Sequence, residues 1–138
     1  MRELKFRAWQ KQTSLHRPVG MYQVNDIVWY DKPFDGNTGE VFFRSYTSSE
    51  FLEDVELMQY TGLKDKNGVD IYEGDIIDTT IKKGGRYCAV EWDSNVCTYT
   101  LEPTDKSDYV SRGYLDKTMC SYIEVIGNIY ENPELLTK

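Results

Sequence analysis

Asp78, Glu91 and Asp93 are the residues whose types and spacing come closest to doing chemistry. The pair Gly84-Gly85 reads as a two-residue hairpin loop. That loop sets Lys83 against Arg86, Ile81 against Cys88, Thr79 against Val90 and Ile77 against Trp92. Asp78 then lies directly across from Glu91, with Asp93 two residues further along the same face and Asp75 nearby. Facing like charges cost ~0.2–1 kcal/mol, so their presence asks for a reason. A divalent cation held by carboxylate oxygens would supply one. The plainer alternative is that these side chains splay into water, where charges at high dielectric repel weakly, and this outweighs the metal reading.

A second constellation is basic and aromatic. Arg7 and Trp9, with Lys83 and Arg86 at the hairpin tip, would touch a phosphate backbone while the indole stacks on a base. Arg2, Lys5, Lys11 and Arg17 extend the N-terminal part of this group against a single acid, Glu3. Residues 50–78 are the reverse, with nine acids against Lys64 and Lys66. A formal net charge of −7 opposes any general coating of nucleic acid, which requires a positive field to displace counterions. Lys83-Gly84-Gly85-Arg86 also lacks the following helix that a phosphate loop needs.

Other chemistry is thinner still. His16 is the one histidine, in a loop beside Arg17 and Pro18, with no nucleophile or orienting acid at a recognisable spacing. Cys88, Cys97 and Cys120 contain no Cys-x-x-Cys pair, and one histidine does not complete a zinc set. Pairing Trp92 with Cys97 across the next turn would leave Cys97 about 13 Å along the strand from Cys88, beyond the ~7 Å limit for a disulfide. All three thiols therefore read as small buried or half-buried hydrophobes. Their odd number points to a reducing cytoplasm. No apolar run approaches the ~20 residues that span a bilayer, and no signal-peptide pattern opens the chain.

The elements that must carry these residues are mostly strands. A hydrophobic content of 40 %, including 11 tyrosines, suffices for a core and favours β structure. At the N-terminus Leu4, Phe6 and Ala8 alternate with Lys5, Arg7 and Trp9, as a half-buried strand does. Residues 11–20 read as a loop, 21–30 and 41–46 as strands, and 32–39 as a turn. A short helix is expected within residues 48–57, capped by Ser48 or Ser49. Asp65-Lys66-Asn67-Gly68 and Glu73-Gly74-Asp75 are turns between strands at 57–61, 69–72 and 76–82. Beyond the hairpin, Val90 pairs with Tyr99, which puts Cys97, Tyr99 and Leu101 on the core face. Pro103 ends that strand, residues 102–113 are irregular, and a long strand at 122–130 bends at Gly127 before a helical turn at Asn132-Pro133.

Several of these segments resemble the YopX family. The run LMQYTGLKDKNGVDIYEGDII (residues 57–77), Val90 and Trp92, the closing EVIGNIYENPELL (residues 124–136) and the opening KFRAW (residues 5–9) carry the likeness. The stretches between Gln10 and Phe51 and between Leu101 and Ser121 carry none. The resemblance implies an all-β folded sheet or pseudobarrel encoded by phages or prophages, with no established activity, and so it transfers no catalytic residue. The motifs are turn and strand signatures, in which Gly62, Gly68, Gly74 and Gly127 serve backbone geometry. By analogy, the pattern after Gly74-Asp75 also looks like the opening of a small SH3-like barrel.

The expectation is therefore a mainly β single domain over residues 1–138. It is a folded antiparallel or mixed sheet, or a pseudobarrel, with a short C-terminal helical turn. The expected function is a non-catalytic protein-binding module in the bacterial cytoplasm, acting on a host or phage protein, without cofactor or membrane. Local nucleic-acid binding through Arg7, Trp9, Lys83 and Arg86 is one alternative. A divalent-metal protein or enzyme using Asp78, Glu91 and Asp93 is another. Homo-oligomers are compatible with exposed strand edges.

Overall fold

The computed structural model describes residues 3–14, 17–44, 46–79, 86–105 and 113–137. Contacts group the chain into two compact units, Leu4–Gln59 and the remainder, Met1–Glu3 with Tyr60–Lys138. All strand pairings among the described residues are antiparallel, and the sheets are open, with no closed barrel.

In the first unit β1 (Phe6–Gln10), β2 (Gly20–Phe34), β3 (Asn37–Phe43), β4 (Ser49–Phe51) and the start of β5 (Val55–Lys64) run in the order β4-β3-β2-β1-β5. The small core consists of Ala8, Val41, Phe43 and Val55, with Tyr22, Val24, Ile27, Leu52 and Leu57 packed against it. The turn at Asp35-Gly36 joins β2 to β3, and Asp35 takes a positive φ of 49° there. The helix expected within residues 48–57 is instead β4 followed by a single 3₁₀ turn, Leu52–Asp54. The Ser48 carbonyl and hydroxyl both accept from Arg17 rather than opening a helix, and residues 49–51 are drawn into a ladder with β3.

In the second unit the end of β5 pairs with β6 (Asp70–Tyr72). A five-stranded sheet follows, ordered β10-β9-β8-β7-β11. Its members are β7 (Asp75–Asp78), β8 (Tyr87–Asp93), β9 (Thr98–Pro103), β10 (Gly113–Tyr114) and β11 (Glu124–Asn128). The core here is Ile71, Ile77, Cys88, Val90, Tyr99, Leu101, Leu115, Cys120 and Ile123. β9 ends on Pro103, as expected from its missing N–H. Sequence patterning misses β10 and α1 (Lys117–Cys120); the latter is capped where Met119 N donates to the Asp116 carboxylate at 2.8 Å.

Both expected registers in this sheet are displaced, and by even numbers. Ile77 pairs with Cys88 instead of Trp92, an offset of four residues. Val90 pairs with Leu101 instead of Tyr99, an offset of two. Side chains alternate with period two, so an even slip buries the same faces and the hydrophobic pattern cannot tell the registers apart. β7 ends early, where Thr79 N donates to Arg86 O at 3.0 Å; the expected Gly84-Gly85 tip, with Ile81 and Lys83, falls outside the described residues. At the next hairpin Asp93 pairs with Thr98, and Cys97 occupies the turn at a φ of 53°. Cys97 is therefore exposed, contrary to its expected place on the core face, while Cys88 and Cys120 are buried.

The motif glycines do the geometric work expected of them. Gly62, Gly68 and Gly74 have φ between 78° and 88°, the region a Cβ disfavours. Gly127 sits at a bulge between β11 and β7, where an added Cβ would lie 2.4 Å from the Asn132 carboxamide oxygen.

Candidate functional site

The register decides the fate of the three carboxylates. Asp78 faces Tyr87 on one side and Glu124 on the other, whereas Glu91 faces Thr100 and Asp93 faces Thr98. The expected opposition of Asp78 and Glu91 is thus undone by the four-residue offset. Glu124 also pairs with Lys66 at 3.1 Å. Among the described residues no group of three or more histidine, cysteine, aspartate or glutamate side chains stands close enough to share a metal ion.

Of the basic and aromatic candidates, Arg7 and Trp9 are half-buried on β1 of the first unit. Arg86 precedes β8 in the second unit, and Lys83 falls outside the described residues, as does His16. Arg17, counted with the exposed N-terminal bases, is instead buried at 2 % exposure. Its guanidinium donates to Gln10 Oε1 (3.2 Å), the Ser48 carbonyl and hydroxyl (3.0 Å each) and the Glu50 carboxylate (2.9 Å). It also lies over the Phe43 ring, 4.5 Å from the centroid. This is a structural centre: a buried cation whose donors are filled by groups up to 33 residues away.

Beside it lies a polar hollow of ≈ 290 Å³ lined by Gln10, Lys11, Ser14, Glu50, Glu53 and Asp54 among others. Three of its four charged side chains, Lys11, Glu50 and Glu53, are already engaged. Lys11 pairs with Glu56 at 2.8 Å, and the Glu53 carboxylate accepts from Thr38 N (2.9 Å) and Thr38 Oγ1 (2.6 Å). The Thr38 hydroxyl bond holds the Glu53 carboxyl below its ordinary pKa.

In the second unit the family-like motif residues are equally committed, to backbone. Asp65 accepts from Asn67 N (2.8 Å), Val69 N (2.9 Å) and Val125 N (2.9 Å). Asp75 accepts from Tyr72 N at 2.8 Å, and Thr61 donates to Ile71 O at 2.8 Å. Asn128 accepts from Tyr130 N and Glu131 N. Buried acceptors used in this way fix turns and leave little capacity for a substrate. Burial pushes the Cys88 and Cys120 thiols above their ordinary pKa, so neither is an activated nucleophile.

What remains is a surface that sequence patterning did not single out, the outer part of β2. Trp29 is 66 % exposed and Phe34 69 %, with Val28 at 40 % between charged and polar neighbours. One signal was available: Ile27-Val28-Trp29-Tyr30 is apolar without alternation, so a strand that buries one face must leave half of it outside. Ile27 packs on the core, whereas Trp29 lies opposite Gly39, beyond the core's end. A Cβ on Gly39 would lie 2.3 Å from Val28 O and 2.8 Å from Leu52 Cδ1, so only glycine lets β3 approach. On the other face the Tyr30 hydroxyl has a raised pKa, from desolvation first and then from its hydrogen bond to Glu40. Exposed aromatic rings on a strand are the kind of surface that anchors protein interfaces.

Comparison with known proteins places the chain. A family model described as "YopX protein" matches residues 5–137. A crystal structure of protein EF1440 from Enterococcus faecalis is similar over 99 % of each chain, at 25 % identity and a TM-score of 0.65. An X-ray structure of protein yopX from Bacillus subtilis is similar in fold over 97 % of this chain and 96 % of that one, at 20 % identity and a TM-score of 0.58. Among curated proteins nothing matches significantly. No helix among the described residues is long and apolar enough to cross a membrane.

Proposed function

We propose that this chain, which belongs to the YopX family, is a non-catalytic protein-binding module of a phage or prophage that engages protein through the outer part of β2. The observation that carries this reading is the exposure of Trp29 and Phe34, 66 % and 69 %, on one strand arm. Two large rings left in water cost about 1.5–3 kcal/mol each relative to burial, and a partner would recover that. The net charge of −7 favours protein over nucleic acid as the ligand. The acids Asp26, Asp31 and Asp35 flank the arm, which would repel a phosphate backbone locally as well.

The test is a tagged pull-down from phage-infected cells, with and without nuclease, using the wild type and a Trp29→Ser/Phe34→Ser variant. The expected result is a stoichiometric protein, the untagged chain included, that survives nuclease and is lost with the variant. Retention of nucleic acid alone, released by high salt, would overturn the reading. Capture unchanged by the double substitution would remove the arm from it.

A further inference from the structure

β1 pairs with β2 only over Gly20–Gln23, while β3 pairs along the opposite edge from Val24 to Trp29 and again at Phe34, with a register shift in between. From Val24 to Phe34 the edge of β2 that faces away from β3 has no ladder partner among the described residues. The backbone direction at this edge can be read from two contacts. Val28 turns its carbonyl toward β3, against Gly39. Ile27, its neighbour, has its N–H taken by the Asp26 carboxylate at 2.8 Å. Trp29 therefore presents its main-chain groups to the open edge, and Ile27 its carbonyl, the arrangement that accepts another strand.

We infer that this edge pairs with the same edge of a second copy of the chain, antiparallel and centred on Trp29. The inference rests on the reading of the β2 arm as a protein-binding element, and it names the protein bound. Antiparallel pairing requires residues of like backbone direction to stand opposite, so a two-fold axis passes through a single residue. Centred on Trp29, the pairing sets indole against indole, Val28 against Tyr30, and Asp26 against Lys32, each of the latter pairs occurring twice. The pairs Asp26–Lys32 and Val28–Tyr30 fall at the closer, non-hydrogen-bonded spacing, where Cα atoms are about 4.5 Å apart and side chains interact most. Lys32 is exposed and makes no hydrogen bond or ion pair among the described residues. Neighbouring registers lose this complementarity. Centring on Asp31 sets Asp31 against itself, and centring on Ile27 puts Lys32 opposite Tyr22, whose edge β1 already covers. Charge complementarity thus selects one self-pairing, and it covers the exposed Trp29 with its own counterpart.

Sedimentation equilibrium on the purified full chain tests this with Asp26→Lys and Lys32→Asp. Wild type is expected to dimerise, and each variant alone to weaken the dimer by about tenfold or more, because two attractive pairs become two repulsive ones. Mixing the two variants is expected to restore a heterodimer. The lysine introduced at position 26 of one chain then meets the aspartate introduced at position 32 of the other, while Lys32 of the first meets Asp26 of the second. Melting curves of each variant verify that the fold is kept. A wild type that stays monomeric at high micromolar concentration overturns the inference. So does a dimer indifferent to both substitutions, or two monomeric variants that fail to associate on mixing. A monomeric wild type that still captures another protein through Trp29 and Phe34 would leave the binding-module reading standing and remove only this one.

Discussion

In residues 60–138 the buried polar side chains work on the backbone around them, whereas in residues 4–59 they work on one another. Asp65, Asp75 and Asn128 each satisfy main-chain groups in turns, and Thr61 satisfies one across from β5 to β6. Arg17, Gln10, Ser48 and Glu50 instead form one cluster around a guanidinium. The first arrangement makes a tightly specified sheet with its apolar residues inside. The second holds a small core together at one end and leaves a long strand arm extending past it, with Trp29 and Phe34 in water. Buried polar bonding and exposed apolar surface are thereby kept in different places: hydrogen-bonded turns accompany the larger core, and exposed rings sit on the strand that the smaller core does not reach.

The largest expected effect tests the cluster. Arg17→Met strands Glu50 and Gln10 in a largely buried setting, and about 3–5 kcal/mol of stability should be lost by urea denaturation. Hydrogen exchange should quicken in β1 to β4 and much less in β7 to β11; a loss below about 1 kcal/mol would mean that Arg17 organises nothing. Next comes Asp65→Ala, which frees three backbone N–H groups and should cost about 3 kcal/mol. Here faster exchange is expected at Asn67, Val69 and Val125, and unchanged protection at those three amides would break the contrast between the units.

A smaller effect concerns pH. Glu53 has a folded-state pKa below its unfolded value, so its contribution is present above about pH 4.3 and is lost as pH falls through the folded value. In Glu53→Gln the acid limb of stability against pH should be shallower; an identical limb would show the Thr38 bonds to be without consequence. The smallest effect belongs to the arm. Trp29→Ser with Phe34→Ser should change stability by no more than about 0.5 kcal/mol, as befits exposed positions. A loss of several kcal/mol would mean that the arm belongs to the folding core after all.

Legibility in the sequence followed the same division. The turns at Asp65–Gly68 and Glu73–Asp75 could be read because the side chains that make them act within two to four residues, and Asn-Gly and Gly-Asp announce the backbone they need. The bend at Gly127 and the stop at Pro103 were legible for the same local reason. Arg17 was not, because its partners at Ser48 and Glu50 lie 31 and 33 residues away and nothing local distinguishes it from an exposed base. Strand faces were legible and strand registers were not, since even slips preserve the alternation. The carboxylate site depended on register alone, and it dissolved with it. The arm left a trace in its unalternated apolar run, but that run reads equally well as a doubly buried strand until the end of the core is known.

Asp65 carries a consequence for the order in which the chain acquires its structure. Two of its three bonds close within four residues, and the third waits for Val125, 60 residues further on. A ribosome adding roughly 5–20 residues each second leaves that carboxylate half-used for about 3–12 seconds of synthesis. During that interval the Asp65–Val69 loop can form and re-form cheaply, held only by its own neighbours. Arrival of β11 then fastens the loop, so the last strand made acts as the latch on one of the first turns completed.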